Sequence, residues 1–329
     1  MTNLATTYMG LTLKNPLIAG SSGLTNSATK IIEIAEAGAG AVVLKSLFEE
    51  QIRYDISKAL TADQESTSYY PEAMDYIGNY SKDHKVGGYL DLIREAKRSV
   101  DIPIIASINC ISASEWVSFA RRIEEAGADA LELNVFILPS DPKHTAADNE
   151  KVYFDLVESV LKQVTIPVSL KISYHFSGLA HLARQLSWTG IKGLVLFNRF
   201  FSPDIDIQNL KVTASNVFST PEELPVSLRW VALLSDHLHC DISATTGIHD
   251  GKAMIKQLLA GAATVQVASV LYKEGFGRIT TMLNDLETWM QQHHYESIGD
   301  FKGKLSYKST ENPAAYERVQ FMKHFAGIE

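Results

Sequence analysis

The sequence predicts an α/β protein, a (β/α)8 TIM barrel with an N-terminal hairpin and long βα loops. Three observations carry that expectation. Eight short apolar runs alternate with helical segments, the pattern of a parallel sheet. No Gly-x-Gly-x-x-Gly follows an early strand, so nothing supports a doubly wound dinucleotide domain. The last two runs, Asp241–Gly247 and Ala263–Ala268, end in small residues, where barrels of this class usually hold a phosphate.

Taken in order, Leu4–Leu13 reads as a hairpin turning at Met9-Gly10, placed to plug the bottom of the barrel. Asn15–Gly20 is strand one and runs into the small polar loop Ser21–Thr25. Ser27–Ala37 reads helical, with Gly38 as its stop. Strand two, Ala41–Ser46, precedes an irregular polar stretch, Leu47–Lys85, long enough to be a lid or substrate loop. A helix over Gly87–Ser99 leads to strand three, Ile102–Ser107. Ser112 and Glu115 have capping-box spacing and open a helix to Ala126. Strand four is Ala128–Asn134, followed by a second long loop, Val135–Asp148, and a helix to Gln163. Strand five is Ile166–Ile172, then a helix over Gly178–Ser187, then strand six, Lys192–Phe197. A third long loop, Asn198–Leu224, precedes a helix over Ser227–Leu238. Asp250 is placed to cap the helix between strands seven and eight, and Gly261 to end it. Glu274–His293 closes the barrel. The expected domain is single, 1–329, with a core of about 15–293 and a tail of 294–329.

The bulk numbers narrow the function. With 46% hydrophobic and 21% charged residues, the chain has an ordinary soluble composition. A net charge of −8 argues against a nucleic-acid partner. The apolar runs are strand-sized, short of the roughly 20 residues of a membrane span. Met1–Asn15 carries no signal-peptide pattern. Cys110 and Cys240 form neither a metal spacing nor a disulfide framework, and a reducing, cytoplasmic setting is expected.

In such a barrel the chemistry sits at the C-terminal ends of the strands. That rim carries Ser21, Ser22 and Gly23, then Lys45 and Ser46, then Ser107 and Asn109, and Asn134. Lys171, Asn198 and Arg199 follow, and the last strands add Gly247, Ile248, Ala268 and Ser269. Lysine is rarely buried unless paired, so Lys45 and Lys171 aimed at one pocket imply an anionic or electron-rich ligand. Each has a plainer use: either lysine can pair with a carboxylate such as Glu132, Asn134 can cap a turn, and the two cysteines can be inert buried thiols. The histidines show no ligand spacing, and no metal is expected.

Six segments then resemble the dihydroorotate dehydrogenase family of FMN-dependent barrels over roughly residues 3–300: Asn15–Gly23, Leu44–Ser46, Glu132–Asn134, Val168–Lys171, Thr246–Ile248, and Gly261-Ala262 with Val267–Ser269. The resemblance implies FMN across the barrel mouth. Ser21, Ser22 and Gly23 would border the ring system, with Lys45 and Ser46 beside it. Lys171 would face its N1/O2 edge. Asn134 and Asn198 would bond flavin or substrate, Asn109 would lie on the substrate side, and Gly247, Ile248, Ala268 and Ser269 would hold the phosphate. It also implies conversion of dihydroorotate to orotate, an oxidation at a CH–CH bond in pyrimidine biosynthesis.

At the phosphate end Thr245-Thr246-Gly247 and Ala268-Ser269 stand where the family usually has Gly-Gly and Gly-Thr, and the other departures sit on the substrate side. The family's base, a Cys or Ser three residues past the strand-four asparagine, is Ile137 here, and the asparagine expected two residues later is Pro139. Ser140 is the substitute base we expect, ahead of Asp141, His144 and Cys110. Arg199 stands where the family has a serine and suits a carboxylate. The expected protein is therefore an FMN-dependent oxidoreductase acting on a small carboxylate-bearing or planar molecule, with dihydroorotate itself turned over slowly. Rival readings are a non-redox lyase or isomerase using Lys171 as a Schiff base, and a non-catalytic relative. A homodimer is what the family suggests, any iron–sulfur cluster would sit on another subunit, and no membrane partner is expected.

Overall fold

The computed structural model describes residues 2–48, 86–109, 113–200 and 202–317. Most of the expected 47–85 loop, together with Cys110, the Ser112 cap and the end of the tail, lies outside them.

Strands β1 (Thr6–Tyr8) and β2 (Leu11–Leu13) form the expected antiparallel hairpin. Its turn is Met9-Gly10, both at positive φ (55° and 81°). The Met9 N–H donates to Asp241 Oδ2 at 2.8 Å. Tyr8, Met9 and Leu13 pack with Ile18, Ala41, Val43, Ile105, Ala130 and Ala263, closing the lower end of the barrel with apolar side chains.

The barrel strands are β3 (Leu17–Ala19), β4 (Ala41–Val43), β6 (Ile104–Asn109), β7 (Ala130–Asn134), β8 (Val168–Ile172), β9 (Gly193–Leu196), β12 (Asp241–Thr245) and β13 (Thr264–Val267). They run parallel in the order β4-β3-β13-β12-β9-β8-β7-β6, and pairing of β4 with β6 closes the ring. The eight-stranded closure is the expected (β/α)8 barrel. Near-continuous apolar runs suit strands buried on both faces; β3, β4, β9 and β13 are buried at every position. Strand β5 (Leu47–Phe48), expected to be loop, pairs with Ile108 and Asn109 and lengthens the rim beside β6.

The outer helices bury one stripe each. In the helix Leu179–Ser187, the buried Leu179, Leu182, Ala183 and Leu186 recur at helical spacing. Thr145 and Asp148 form a reciprocal capping box, so the helix Ala146–Leu161 begins inside what the sequence suggested was loop. The helix Leu224–Leu234 starts and stops earlier than the expected Ser227–Leu238, because a capped turn at Pro221–Glu223 leads straight into it and Pro225 is tolerated in its first turn. A second hairpin, β10 (Pro203–Asp206) with β11 (Lys211–Ala214), stands in the third long loop. The sequence hides it: both strands are almost wholly exposed, so neither has an apolar face to mark it. Among the described residues no helix is long and apolar enough to cross a membrane.

Asp250 caps the helix Gly251–Ala260 as expected, its Oδ1 accepting the Ala253 N–H at 2.7 Å. Gly261 ends that helix at φ 114°. Replacing Asp250 with alanine should cost about 1 kcal/mol, read as a lowered urea midpoint with an unchanged slope.

Candidate active site

Strands β3, β6, β7, β8, β9, β12 and β13 all end on one rim, and residues at or just past their ends enclose most of a cavity of about 450 Å3. Asn109, Asn134 and Lys171 line one side of it, and Ser21, just past β3 and so beside β13, lies between them and the far end. Asn198 and Arg199 line the next part, and Gly247, Ile248, Ala268 and Ser269 the far end. The remaining expected residues do not line it. Ser46 is buried just behind, where its Oγ lies 3.1 Å from Ser21 Oγ, 2.7 Å from Ser107 Oγ and 3.4 Å from Asn134 Nδ2. Ser22 caps the short turn Gly23–Thr25, accepting the Leu24 N–H at 3.2 Å. A side chain at Gly23 would run into the Tyr272 hydroxyl. Lys45 is half-buried, its N–H bonded to Thr25 O at 3.2 Å. Ser140 is exposed on the loop after β7.

Three polar side chains meet in the buried floor. Lys171 Nζ lies 3.9 Å from Glu132 Oε1, and the glutamate side chain is 1% exposed. Lys171, not Lys45, is thus the lysine that pairs with Glu132. Gln266 Nε2 reaches Glu132 Oε2 at 2.8 Å. Asn134 Oδ1 is buried without a hydrogen-bond partner in a wall of the cavity, and an unpaired buried acceptor asks for a donor from a ligand or water.

Asn198 uses its amide to tie the rim together: Nδ2 donates to Val135 O at 2.8 Å and to Lys171 O at 3.2 Å. Arg199 is engaged by its own chain. Its Nε donates to Glu223 Oε2 at 3.0 Å, and its two terminal nitrogens donate to Val217 O and Asn216 O at 2.8 Å each. The guanidinium expected to meet a substrate carboxylate therefore anchors the segment that crosses the cavity after β11.

At the far end, Thr246 and Gly247 turn at φ 73° and 79°. Leu224 N would sit 2.3 Å from a Cβ at position 247, so only glycine fits beneath that segment. Ser269 opens the short helix Ser269–Glu274, and its Oγ accepts the Ser219 N–H at 3.0 Å. Ser219 Oγ lies 3.0 Å from His249 Nε2, and Lys273 Nζ donates to Ser219 O at 3.0 Å. Burial, reinforced by the Lys273 ammonium, lowers the His249 pKa below its usual 6.5.

Sequence reasoning missed Phe136, Ser219, Thr245 and Gln266, all of which line the cavity. Phe136 is the instructive one. It lies one residue before the expected base position and its ring centroid is 4.2 Å from that of Phe200, while Ile137 packs against the apolar core. Alternation along the extended chain after β7 would have placed 136 and 137 on opposite sides; Ser219, on an irregular segment, had no comparable signal.

The His249 shift gives a pH dependence. The folded state binds the proton less readily than the unfolded state, so stability present above pH 6.5 should fall as the pH drops through the depressed folded value. In His249→Gln, the loss of thermal stability between pH 7 and 5 should be shallower than in the wild type. Parallel curves would show that His249 carries no such linkage.

Comparison with known proteins agrees with this architecture. The family described as dihydroorotate dehydrogenase matches residues 3–290. The catalytic subunit of dihydroorotate dehydrogenase B (NAD(+)) from Thermoplasma volcanium is 28% identical over 309 residues, covering 92% of this chain and 98% of that one. The corresponding subunit from Thermoplasma acidophilum is 27% identical, covering 92% and 99%. A Bacillus cereus subunit of the same name is 25% identical, covering 94% and 99%. With the barrel closed and the family's profile spanning nearly all of it, the chain belongs to the dihydroorotate dehydrogenase family.

Proposed function

We propose that the protein is an FMN-dependent oxidoreductase of the dihydroorotate dehydrogenase type whose preferred substrate is a small planar molecule other than dihydroorotate. The observation that carries the flavin reading is the cavity's polarity from end to end: a lysine and an unpaired asparagine oxygen at one side, and the small residues Gly247, Ala268 and Ser269 after β12 and β13 at the other. These residues fit FMN. Gly247, Ile248, Ala268 and Ser269 supply a phosphate end of the kind barrels place after their last two strands. Ser21, with Ser46 behind it, would border the ring system, Ser22 and Gly23 would shape the turn beside it, and Lys45 would stand on the neighbouring strand end. Lys171 would support the electron-rich edge, and Asn134 has an acceptor free to meet a ring N–H. When bound, FMN supplies the hydride acceptor or donor.

The chain's own residues divide the remaining work. Asn109 and Asn134 orient a planar ring from the side of β6 and β7. Phe136 and Phe200 present a paired aromatic edge that excludes water from that side. Arg199, held by Glu223, fixes the position of the covering segment 216–223. The proton lost from an ordinary dihydroorotate needs a base, and the Ile137 side chain has no atom that accepts one. Ser140 would have to swing inward with its loop to serve. The relatives' names, catalytic subunits with NAD(+), support a further subunit that carries electrons onward.

Protein purified without added cofactor should show a flavin visible spectrum, and anaerobic dihydroorotate should leave it largely unbleached. Bleaching at the rate of ordinary members would overturn the reading of Ile137. No flavin, even after reconstitution with FMN, would overturn the flavoprotein reading. Lys171→Met should weaken FMN binding about tenfold or more, the scale of a lost hydrogen bond to a charged group, as measured by fluorescence titration of apoprotein.

A further inference from the structure

Glu132 is an odd residue to find beneath this cavity. It projects from the middle of β7 into the barrel interior, two residues before Asn134 and so on the same face. It is 1% exposed. A carboxylate so placed is costly unless its charge is paired and its lone pairs are satisfied. One oxygen is satisfied: Oε2 accepts from Gln266 Nε2 at 2.8 Å. That bond spans the barrel, since β13 and β7 lie four places apart in the eight-strand ring. The other oxygen, Oε1, has no hydrogen bond and faces Lys171 Nζ at 3.9 Å, too far for one. The carboxylate is thus pulled across the barrel by the glutamine and held just short of the lysine.

If packing alone governed this position, an apolar side chain would serve better, as it does in the layer below, where Ala130 occupies the same face of β7. If a tight ion pair governed it, the lysine would close the gap. The arrangement instead leaves the Lys171 side chain 13% exposed, in the cavity wall, with a counter-charge near its ammonium.

We propose that Glu132 is a positioning residue that sets how much of the Lys171 charge reaches the cavity, and that Gln266 sets the position of Glu132. This inference rests on the flavin reading. The Lys171 ammonium favours negative charge on the N1/O2 edge of the ring system, and the Glu132 carboxylate behind it offsets part of that effect. Removing the carboxylate strengthens the cation's influence. Releasing the carboxylate from Gln266 lets it move onto Lys171 and weakens that influence.

Sulfite tests this without turnover. It adds its sulfur lone pair to flavin N5, and the displaced electron pair leaves negative charge at N1 and O2, so its dissociation constant reports the cation there. Glu132→Gln holoprotein should bind sulfite about tenfold or more tightly than wild type, the scale of one nearby unit charge removed at low effective dielectric. Glu132→Asp, which keeps the charge, should stay within about twofold, and Gln266→Met should bind sulfite more weakly than wild type. A role limited to packing predicts no such opposition of sign. Should Glu132→Gln fail to fold, Gln266→Met against wild type decides: weaker sulfite binding supports the inference and unchanged binding overturns it. Flavin bound in every variant with sulfite affinity unaltered would overturn the role of Glu132 and leave the flavoprotein reading intact. No flavin bound by the wild type would overturn both.

Discussion

Closure of the sheet through the β4–β6 pairing is the constraint on which the site depends. Eight parallel strands in a ring must all end at the same rim, so residues far apart in the chain are delivered to one mouth regardless of their separation. Ser21 and Ser269 line the same cavity for that reason. Closure also creates an interior that side chains must fill. Below, Tyr8, Leu13, Ile18 and their neighbours fill it with apolar volume. Higher up it holds Ser107, Glu132, Ser169, Ser243, Thr264 and Gln266, all buried. The Gln266–Glu132 and Thr264–Ser243 bonds knit part of that layer together. The transition from apolar to polar, moving up the axis, marks where the barrel stops being scaffold and becomes site.

Much of this was legible in the chain. Strand number and order follow from apolar runs spaced by helical periodicity, and the caps at Asp250 and Gly261 read directly because their chemistry is local. Rim residues such as Asn134 and Lys171 could be found because a polar residue ending an apolar strand is conspicuous. What the sequence concealed shares a different property: it depends on contacts between distant segments. The exposed hairpin β10–β11 has no buried face to produce a pattern. The use of Arg199 as an internal anchor depends on Glu223 and on two carbonyls across a long connection. Pairing of Glu132 with Lys171 in preference to Lys45 follows from the register that sets Asn134 beside Lys171, which no local rule supplies.

Arg199 also illustrates how a charge beside a cavity can serve the chain that carries it. A guanidinium beside the cavity suggests recognition of an anion, but its donors face Glu223 and the carbonyls of Asn216 and Val217. The same positive charge that reads as specificity in sequence acts as a fastener in space. The segment it fastens carries Ser219, which meets Ser269 and His249 at the opposite end of the cavity. The two ends of the site therefore share one structural member, and a change at either end is felt along it.

The hairpin at the N-terminus has a consequence for how the molecule is made. Met9 bonds to Asp241, the Thr6 hydroxyl to Ala263, and Asn3 bridges to Ser297. Strand β3, the first of the ring, pairs with β13, the last. Each of these contacts closes a loop of well over two hundred residues, and such long-range pairing is slow to form. On a ribosome, the first strand emerges with its permanent neighbour not yet synthesised. The final seam can form only after β13 has been released, so the nascent barrel must carry an open edge, bounded by β3, until then.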